Sequence, residues 1–454
     1  MNQASRRRFA GSLLLVLGAL PAGCGGSKEQ APPQVPQTPQ GNVASPPVAT
    51  APPQAPPPAE PPGAMPSGPL KMNGAAQAAY SRGTMAYVAG DVAGARAAFQ
   101  EATAADPRAY QAQYSLGVVL ERQGDPKAPD AYRQAFTIQR DYEPAISAYA
   151  LYLGSKGRLG EAESFLQGKR GELPNSAGVL AALAEVKSMQ RDTAAAQQLA
   201  QEALKKDSNY RPAMVTIARD HYRNRRLDLA LYALQAILDG FGDENPPRDR
   251  DNADAHYLRG IILKEEGRRA AAIEELKKAV ALRPDLVPAR IELASYFLEA
   301  GNGAEALPLL DGALRYNPDH VVAHLDLGDC YRLSGHIPEA KAQFDWVLAH
   351  DTSLPQVHYD LGLLYLFSPT VPGMDVKRQT DEAIAEITRF QQMRGKLAAG
   401  QSDDSEELLN RAKQKQADLQ AQSAAKQPVA APPATGAAPP AAPGAKPPVK
   451  PAGK

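Results

Sequence analysis

The chain has 454 residues and a formal net charge of zero, with 41 prolines, 36 glycines and two cysteines. A neutral balance argues against a nucleic-acid binder, which needs a basic face to displace counterions from phosphate. The prolines crowd into both ends. The middle is rich in Ala and Leu with a helical period, so the chain divides into low-complexity ends and a helical body.

Residues 1–23 have the layout of a secretory leader: Arg6, Arg7 and Arg8, an apolar run from Phe9 to Leu20, then Pro21-Ala22-Gly23 before Cys24. The run is too short to span a bilayer. Removing it with its three arginines leaves a net charge of −3. Ala22-Gly23-Cys24 resembles a bacterial lipobox, with Pro21 where that pattern usually has Leu. The resemblance implies lipidation of Cys24, cleavage before it and membrane attachment through N-terminal acyl chains. Gly25 rather than Asp after the cysteine implies sorting to the outer membrane, with the protein facing the periplasm. Ser5 to Phe9 also resembles a twin-arginine export signal, although an ordinary basic start is the better reading of it.

Residues 24–72 form a linker of Pro, Ala, Gln and Gly without hydrophobic period, and Pro56-Pro57-Pro58 is typical of it. Such a segment cannot offset its ordering entropy by burial and is expected to be disordered, a tether reaching ~150 Å at ~3.1 Å per residue. Cys24 belongs to this tether and Cys330 to a helix, so a disulfide between them is not expected. Cys330 reads as a small buried hydrophobe.

Helical repeats follow. The first block, 73–242, holds about five units. Unit one shows Gly83, Gly90, Ala95, Phe99, Ala102 and Pro107. Unit two shows Leu116, Gly117, Gly124, Ala128, Tyr132 and Ala135, one residue short in its internal turn. Units three to five are more degenerate. A Gly-, Pro- and charge-rich loop over 243–252 delays the next unit. The second block, 253–395, holds about four. Gly260, Gly267, Ala272, Leu276, Ala279 and Pro284 recur 34 residues later as Ala294, Gly301, Ala306, Leu310, Ala313 and Pro318. Unit eight has Gly328, Gly335, Ala340 and Phe344. Unit nine has Gly362 and an insertion from Ser368 to Thr380. Small residues suit a close crossing of two helices, and a proline after the second helix stops it.

This pattern resembles the tetratricopeptide repeat (TPR) family. The resemblance implies an all-α fold, an α-solenoid of helix–turn–helix units, in which Gly83, Gly117, Gly260, Gly328 and Gly362 mark helix crossings and Pro107, Pro284 and Pro318 mark unit ends. In the family the second, fifth, ninth and twelfth residues of each first helix line an inner groove. Those offsets fall here on Tyr80, Tyr87, Tyr114 and Val118, then on Val215, Arg219 and Tyr222. Later units supply Tyr257, Ile261, Lys264, Ile291, Ser295, Leu298, Leu325, Asp329, Arg332, Tyr359, Leu363 and Leu366. The groove reads as apolar and tyrosine-rich, a surface for protein partners. The row from Tyr257 to Leu363 in units six to nine is the expected principal site.

Residues 396–425 read as a turn and a polar capping helix, with Asp404 and Glu407 at capping-box spacing. The tail 426–454 is Ala/Pro-rich, carries four lysines and no acid, and is expected to be disordered.

No phosphate loop, nucleophile elbow or close metal-ligand cluster appears. No catalytic residue, metal, cofactor or small-molecule substrate is therefore expected. His256, His324 and His358 share one repeat position, and equivalent positions lie about one helix spacing apart, on the order of 10 Å. They read as packing residues rather than shared zinc ligands.

The reading is a non-enzymatic scaffold that assembles envelope proteins from the outer membrane. The long tether, late insertion and cap resemble the TPR lipoproteins of myxobacterial gliding machinery. Alternatives are a pilotin-like factor for a secretin or pilus, and a lipoprotein activator of a peptidoglycan synthase. An enzyme acting on wall polymer is the reading least supported.

Overall fold

The computed structural model describes residues 70–395 and 403–426, together with Gly453. Cys24, the leader, nearly all of the tether, the turn at 396–402 and nearly all of the tail lie outside the described residues. Among those described there are nineteen helices and no strand. None is long and apolar enough to cross a membrane.

Eighteen of the helices form nine consecutive pairs. They are α1 (Gly74–Val88) with α2 (Val92–Ala105), α3 (Tyr110–Arg122) with α4 (Ala128–Ile138), and α5 (Glu143–Ser155) with α6 (Leu159–Glu172). Next come α7 (Ala177–Met189) with α8 (Thr193–Lys206), α9 (Arg211–Arg223) with α10 (Leu227–Leu238), and α11 (Ala253–Glu265) with α12 (Arg269–Leu282). The last are α13 (Val287–Glu299) with α14 (Gly303–Tyr316), α15 (Val321–Leu333) with α16 (Ile337–His350), and α17 (Pro355–Phe367) with α18 (Val376–Arg394). Helix α19 (Ser405–Lys426) follows them and packs on α18.

One contact explains why the pairs repeat. A Cβ added at Gly83 or Gly117 would lie 2.6 Å from the ring of Phe99 or Tyr132. Gly260 faces Leu276, Gly328 faces Phe344 and Gly362 faces Ile387 in the same way. In these five pairs the glycine of the first helix thus receives the large residue of its own second helix. Pro107, Pro284 and Pro318 each stand two residues beyond the end of a second helix, where a missing N–H costs nothing. Most first helices end on a glycine at positive φ, such as Gly90, Gly267 and Gly335. Arg191 (φ 67°) and Arg225 (φ 61°) hold the corresponding turns after α7 and α9.

Two compact units divide the chain: residues up to Ala289 together with Arg315–Pro318, and Arg290–Leu314 together with the residues from Asp319 onward. The break lies inside α13 and not in the 243–252 loop. That loop leaves the array continuous because Val215, Leu234 and Ile262 share one core across α9, α10 and α11. It folds back on α10, with the Asp249 amide donating to the Ile237 carbonyl at 2.8 Å. The largest core of the first unit centres on α7, whose residues Ala177 to Val186 are all buried. A helix apolar on every side needs neighbours on every side. The largest core of the second unit gathers Phe344, Leu364 and Ile387 with Leu408 and Ala412 of α19.

Asp404 directly precedes α19, and its carbonyl accepts from the Leu408 amide at 2.9 Å. The Tyr359 hydroxyl lies 2.9 and 3.0 Å from the two Asp404 carboxylate oxygens, so that side chain is engaged across the array. Cys330 is fully buried, and its thiol donates to the Gly303 carbonyl at 3.0 Å. Burial, with Asp329 and Asp311, pushes the thiol pKa up to about 11.

Candidate partner-binding surface

In the first unit most side chains at the groove offsets stay partly accessible. Tyr80, Tyr87, Tyr114, Val118, Tyr222, Tyr257, Ile261 and Lys264 are all half-buried, and Val215 is buried. The tyrosines pack against neighbouring rings, tilted in the Tyr80–Phe99 and Tyr114–Tyr132 pairs and edge to face in the Tyr114–Tyr142 pair. Tyr80 lies 5.6 Å from Phe99, and Tyr114 lies 5.9 Å from Tyr132 and 5.6 Å from Tyr142, measured between ring centres. The Tyr222 hydroxyl donates to Glu265 at 2.7 Å. Burial and the Glu265 contact push that phenol well above its ordinary range, so it acts as a neutral donor.

Beside these tyrosines is a charged cluster. Arg219, at a groove offset of α9, reaches Glu185 of α7 at 3.0 Å, and Arg223 reaches the same oxygen at 2.6 Å. Thr216 donates to the other oxygen at 2.9 Å. Glu185 is buried, and burial alone would oppose its ionisation. The two arginines and the hydrogen bonds from Arg223 and Thr216 hold its pKa down to about 2. One carboxylate is thus shared by two guanidiniums, and the Arg219 side chain keeps 33% of its surface exposed. Glu185 was not singled out from sequence. The available signal was a lone acid inside the apolar run of α7.

In the second unit the same offsets give a different surface. Ile291 (0% exposed), Leu325, Leu298, Leu366 and Asp329 are buried, which removes them from a continuous apolar groove. Only Ser295, Arg332, Tyr359 and Leu363 stay half-exposed there. Even these have partners: Ser295 donates to Asp326 at 3.2 Å, and Arg332 to Asp329 at 2.6 Å. Tyr359 packs 5.1 Å from Phe390, and burial and Asp404 push its phenol far above the ordinary range. Side-chain length contributes at the position shared by Tyr257, Ile291, Leu325 and Tyr359: the two aliphatic side chains are buried between helices, and the two longer tyrosines stay half-exposed.

The three histidines at one repeat position are each engaged within their own pair. His256 Nδ1 lies 2.6 Å from Glu275, His324 Nδ1 lies 2.7 Å from Gln343 and His358 Nδ1 lies 2.5 Å from Glu386. Among the described residues no three His, Cys, Asp or Glu side chains are grouped to hold a metal ion.

Tetratricopeptide-repeat family models match residues 70–107, 80–157 and 215–287, and a second such model matches 297–360. A comparison with characterised proteins gave no match. Among solved structures, the APC/C hetero-tetramer Cut9–Hcn1 aligns at 14% identity and TM-score 0.47, over 76% of this chain and 78% of that one. YrrB, described as a TPR protein with an unusual peptide-binding site, aligns at 18% identity and TM-score 0.37, over 47% and 97%. A TPR protein from Parabacteroides merdae aligns at 17% identity and TM-score 0.33, over 60% and 98%. At such identities and scores the likeness carries no functional information. With nine helix pairs in one repeating register and the family models on three stretches of them, the described helical array is a tetratricopeptide-repeat α-solenoid.

Proposed function

We propose that the chain is a non-enzymatic scaffold that binds a protein partner on the first-helix face of its first unit. The observation that supports this most is the contrast between the units. Tyr80, Tyr114, Tyr222 and Tyr257 keep part of their rings open, while Ile291, Leu298, Leu325 and Leu366 at the same offsets are closed over. Tyrosine offers large contact area with few rotors to freeze, and binding energy concentrates in such anchors. The principal site therefore moves from units six to nine to the first unit, including Tyr257 of unit six.

Cys24 lies outside the described residues, and its lipidation remains part of the proposal on the strength of the Ala22-Gly23-Cys24 motif. In this reading the acyl chains hold the scaffold on the periplasmic side of the outer membrane. The tether gives the array reach, and the partner belongs to an envelope-spanning complex such as gliding machinery. The test is a photo-crosslinking residue placed in living cells at Tyr222 or at Tyr257. One discrete adduct, identified by mass spectrometry and absent when the residue replaces exposed Gln201 on α8, supports the assignment. Adducts from Gln201 alone overturn it.

A further inference from the structure

The first unit closes on itself through a small set of contacts around Asp285 and Tyr87. Asp285, in the turn between α12 and α13, accepts from the Tyr87 hydroxyl at 3.0 Å and from Arg122 at 3.2 Å. These partners stand 198 and 163 residues earlier in the chain. Three more contacts lie beside them. The Tyr316 hydroxyl donates to the Val88 carbonyl at 3.1 Å. The Tyr87 and Tyr316 rings meet edge to face, 5.7 Å apart. A Cβ added at Gly90 would lie 3.3 Å from the Arg315 side chain. The first repeat is thus pinned to the far end of its own unit.

We infer that Asp285 is the centre of a latch that regulates access to the first unit's binding face, closed in the free protein and opened to admit the partner. The inference rests on the proposed binding role of that face. The Asp285 part of this contact is the part built to open, because it is small, polar and partly exposed, while the Tyr316 ring beside it is buried. The Arg122 and Asp285 side chains keep 27% and 22% of their surface, and partly exposed ion pairs are weak and screened by salt. Arg283 adds a longer contact to Asp285, at 3.9 Å, while holding Asp254 at 2.6 Å. The latch residue therefore connects to α11, next to Tyr257. Burial pushes the Tyr87 phenol up to about 12, so Tyr87 keeps its proton at neutral pH and donates to Asp285 throughout that range.

The test measures closure without any partner, so failure to find a partner leaves it intact. Spin labels are placed on exposed Thr84 of α1 and exposed Ala281 of α12 in the full chain carrying Cys24→Ser; Cys330, fully buried, stays. At low salt the distance distribution is expected to be short and narrow. Asp285→Ala should shift it longer and broaden it. Asp285→Asn, which keeps an acceptor for Tyr87 but no charge, should be intermediate and insensitive to 1 M salt (about a 3 Å Debye length). If Asp285→Ala melts early by circular dichroism, Arg122→Gln combined with Tyr87→Phe reads the same latch from its other side. A wild-type distribution already broad and long, or one unchanged by these substitutions, overturns the latch. For regulation, the crosslinker at Tyr257 should give several-fold more adduct in the Asp285→Ala background. An open distribution with unchanged adduct yield overturns the regulatory role and leaves the binding face itself untouched.

Discussion

His256 Nδ1 sits 2.6 Å from Glu275 Oε2, joining the two helices of one repeat across 19 residues. The same bridge recurs 68 residues on as His324 with Gln343, again 19 apart, and as His358 with Glu386, 28 apart. The nine extra residues in the last case measure the insertion before α18. His256 is also tied at its other nitrogen, 2.9 Å from the Arg250 carbonyl. It fastens the 243–252 loop to the array.

That arrangement, with Glu185, makes acid stability testable. Burial opposes ionisation of Glu275, but His256 and Arg259 hold its pKa to about 2, and Glu185 is held as low by its arginines. A depressed carboxyl pKa stabilises the fold above the unfolded value, and the stabilisation is lost as pH falls toward the folded value. Resistance to urea should therefore fall as pH drops from about 4.5 to about 2. Glu185→Gln should be less stable at pH 7 by roughly 2–3 kcal/mol and should flatten that slope. A variant slope equal to wild type would count against the coupling.

The helix crossing gives a second prediction. Gly328 faces the Phe344 ring, so Gly328→Leu overpacks the crossing at a cost of about 1–3 kcal/mol. Repeats couple mainly to neighbours. Hydrogen exchange should rise in α15, α16 and α17 while α3 to α6 keep their protection.

Turn geometry gives a third. Arg191 is exposed at φ 67°, a conformation costing a non-glycine residue about 1–2 kcal/mol. Arg191→Gly should raise stability by up to about 1 kcal/mol, offset in part by loss of the side-chain contact to the Arg223 carbonyl. Arg225→Gly should gain less, because Arg225 also pairs with Glu265 at 2.5 Å. A fall in melting temperature for Arg191→Gly would contradict this.

The anchor is tested apart from the fold. Cys24→Ser should abolish labelling by palmitate and move the protein from the membrane fraction to the soluble periplasm. Labelling that persists in the variant would place the lipid elsewhere.

Repeat number, crossing glycines and terminal prolines were legible in the sequence because each is a local requirement repeated every 34 residues. Exposure at the groove offsets was not legible. Ile291 and Tyr257 occupy equivalent positions, yet Ile291 is buried and the longer Tyr257 stays half-exposed. The Glu185 cluster and the Asp285 contacts were hidden for another reason. They join residues 31 to 198 positions apart, and their pairing depends on how the solenoid curves, which no single repeat encodes.

The central claim is that the open tyrosines of the first unit hold the partner. Its most direct measurement is the in-cell crosslink at Tyr257 with Tyr80, Tyr114 and Tyr222 changed to Ala, alongside Tyr359→Ala as a second-unit control. Helicity and melting are checked by circular dichroism. The adduct should fall at least tenfold in the triple variant and persist in Tyr359→Ala. A folded triple variant that retains its adduct, or an adduct lost only with Tyr359→Ala, would contradict it.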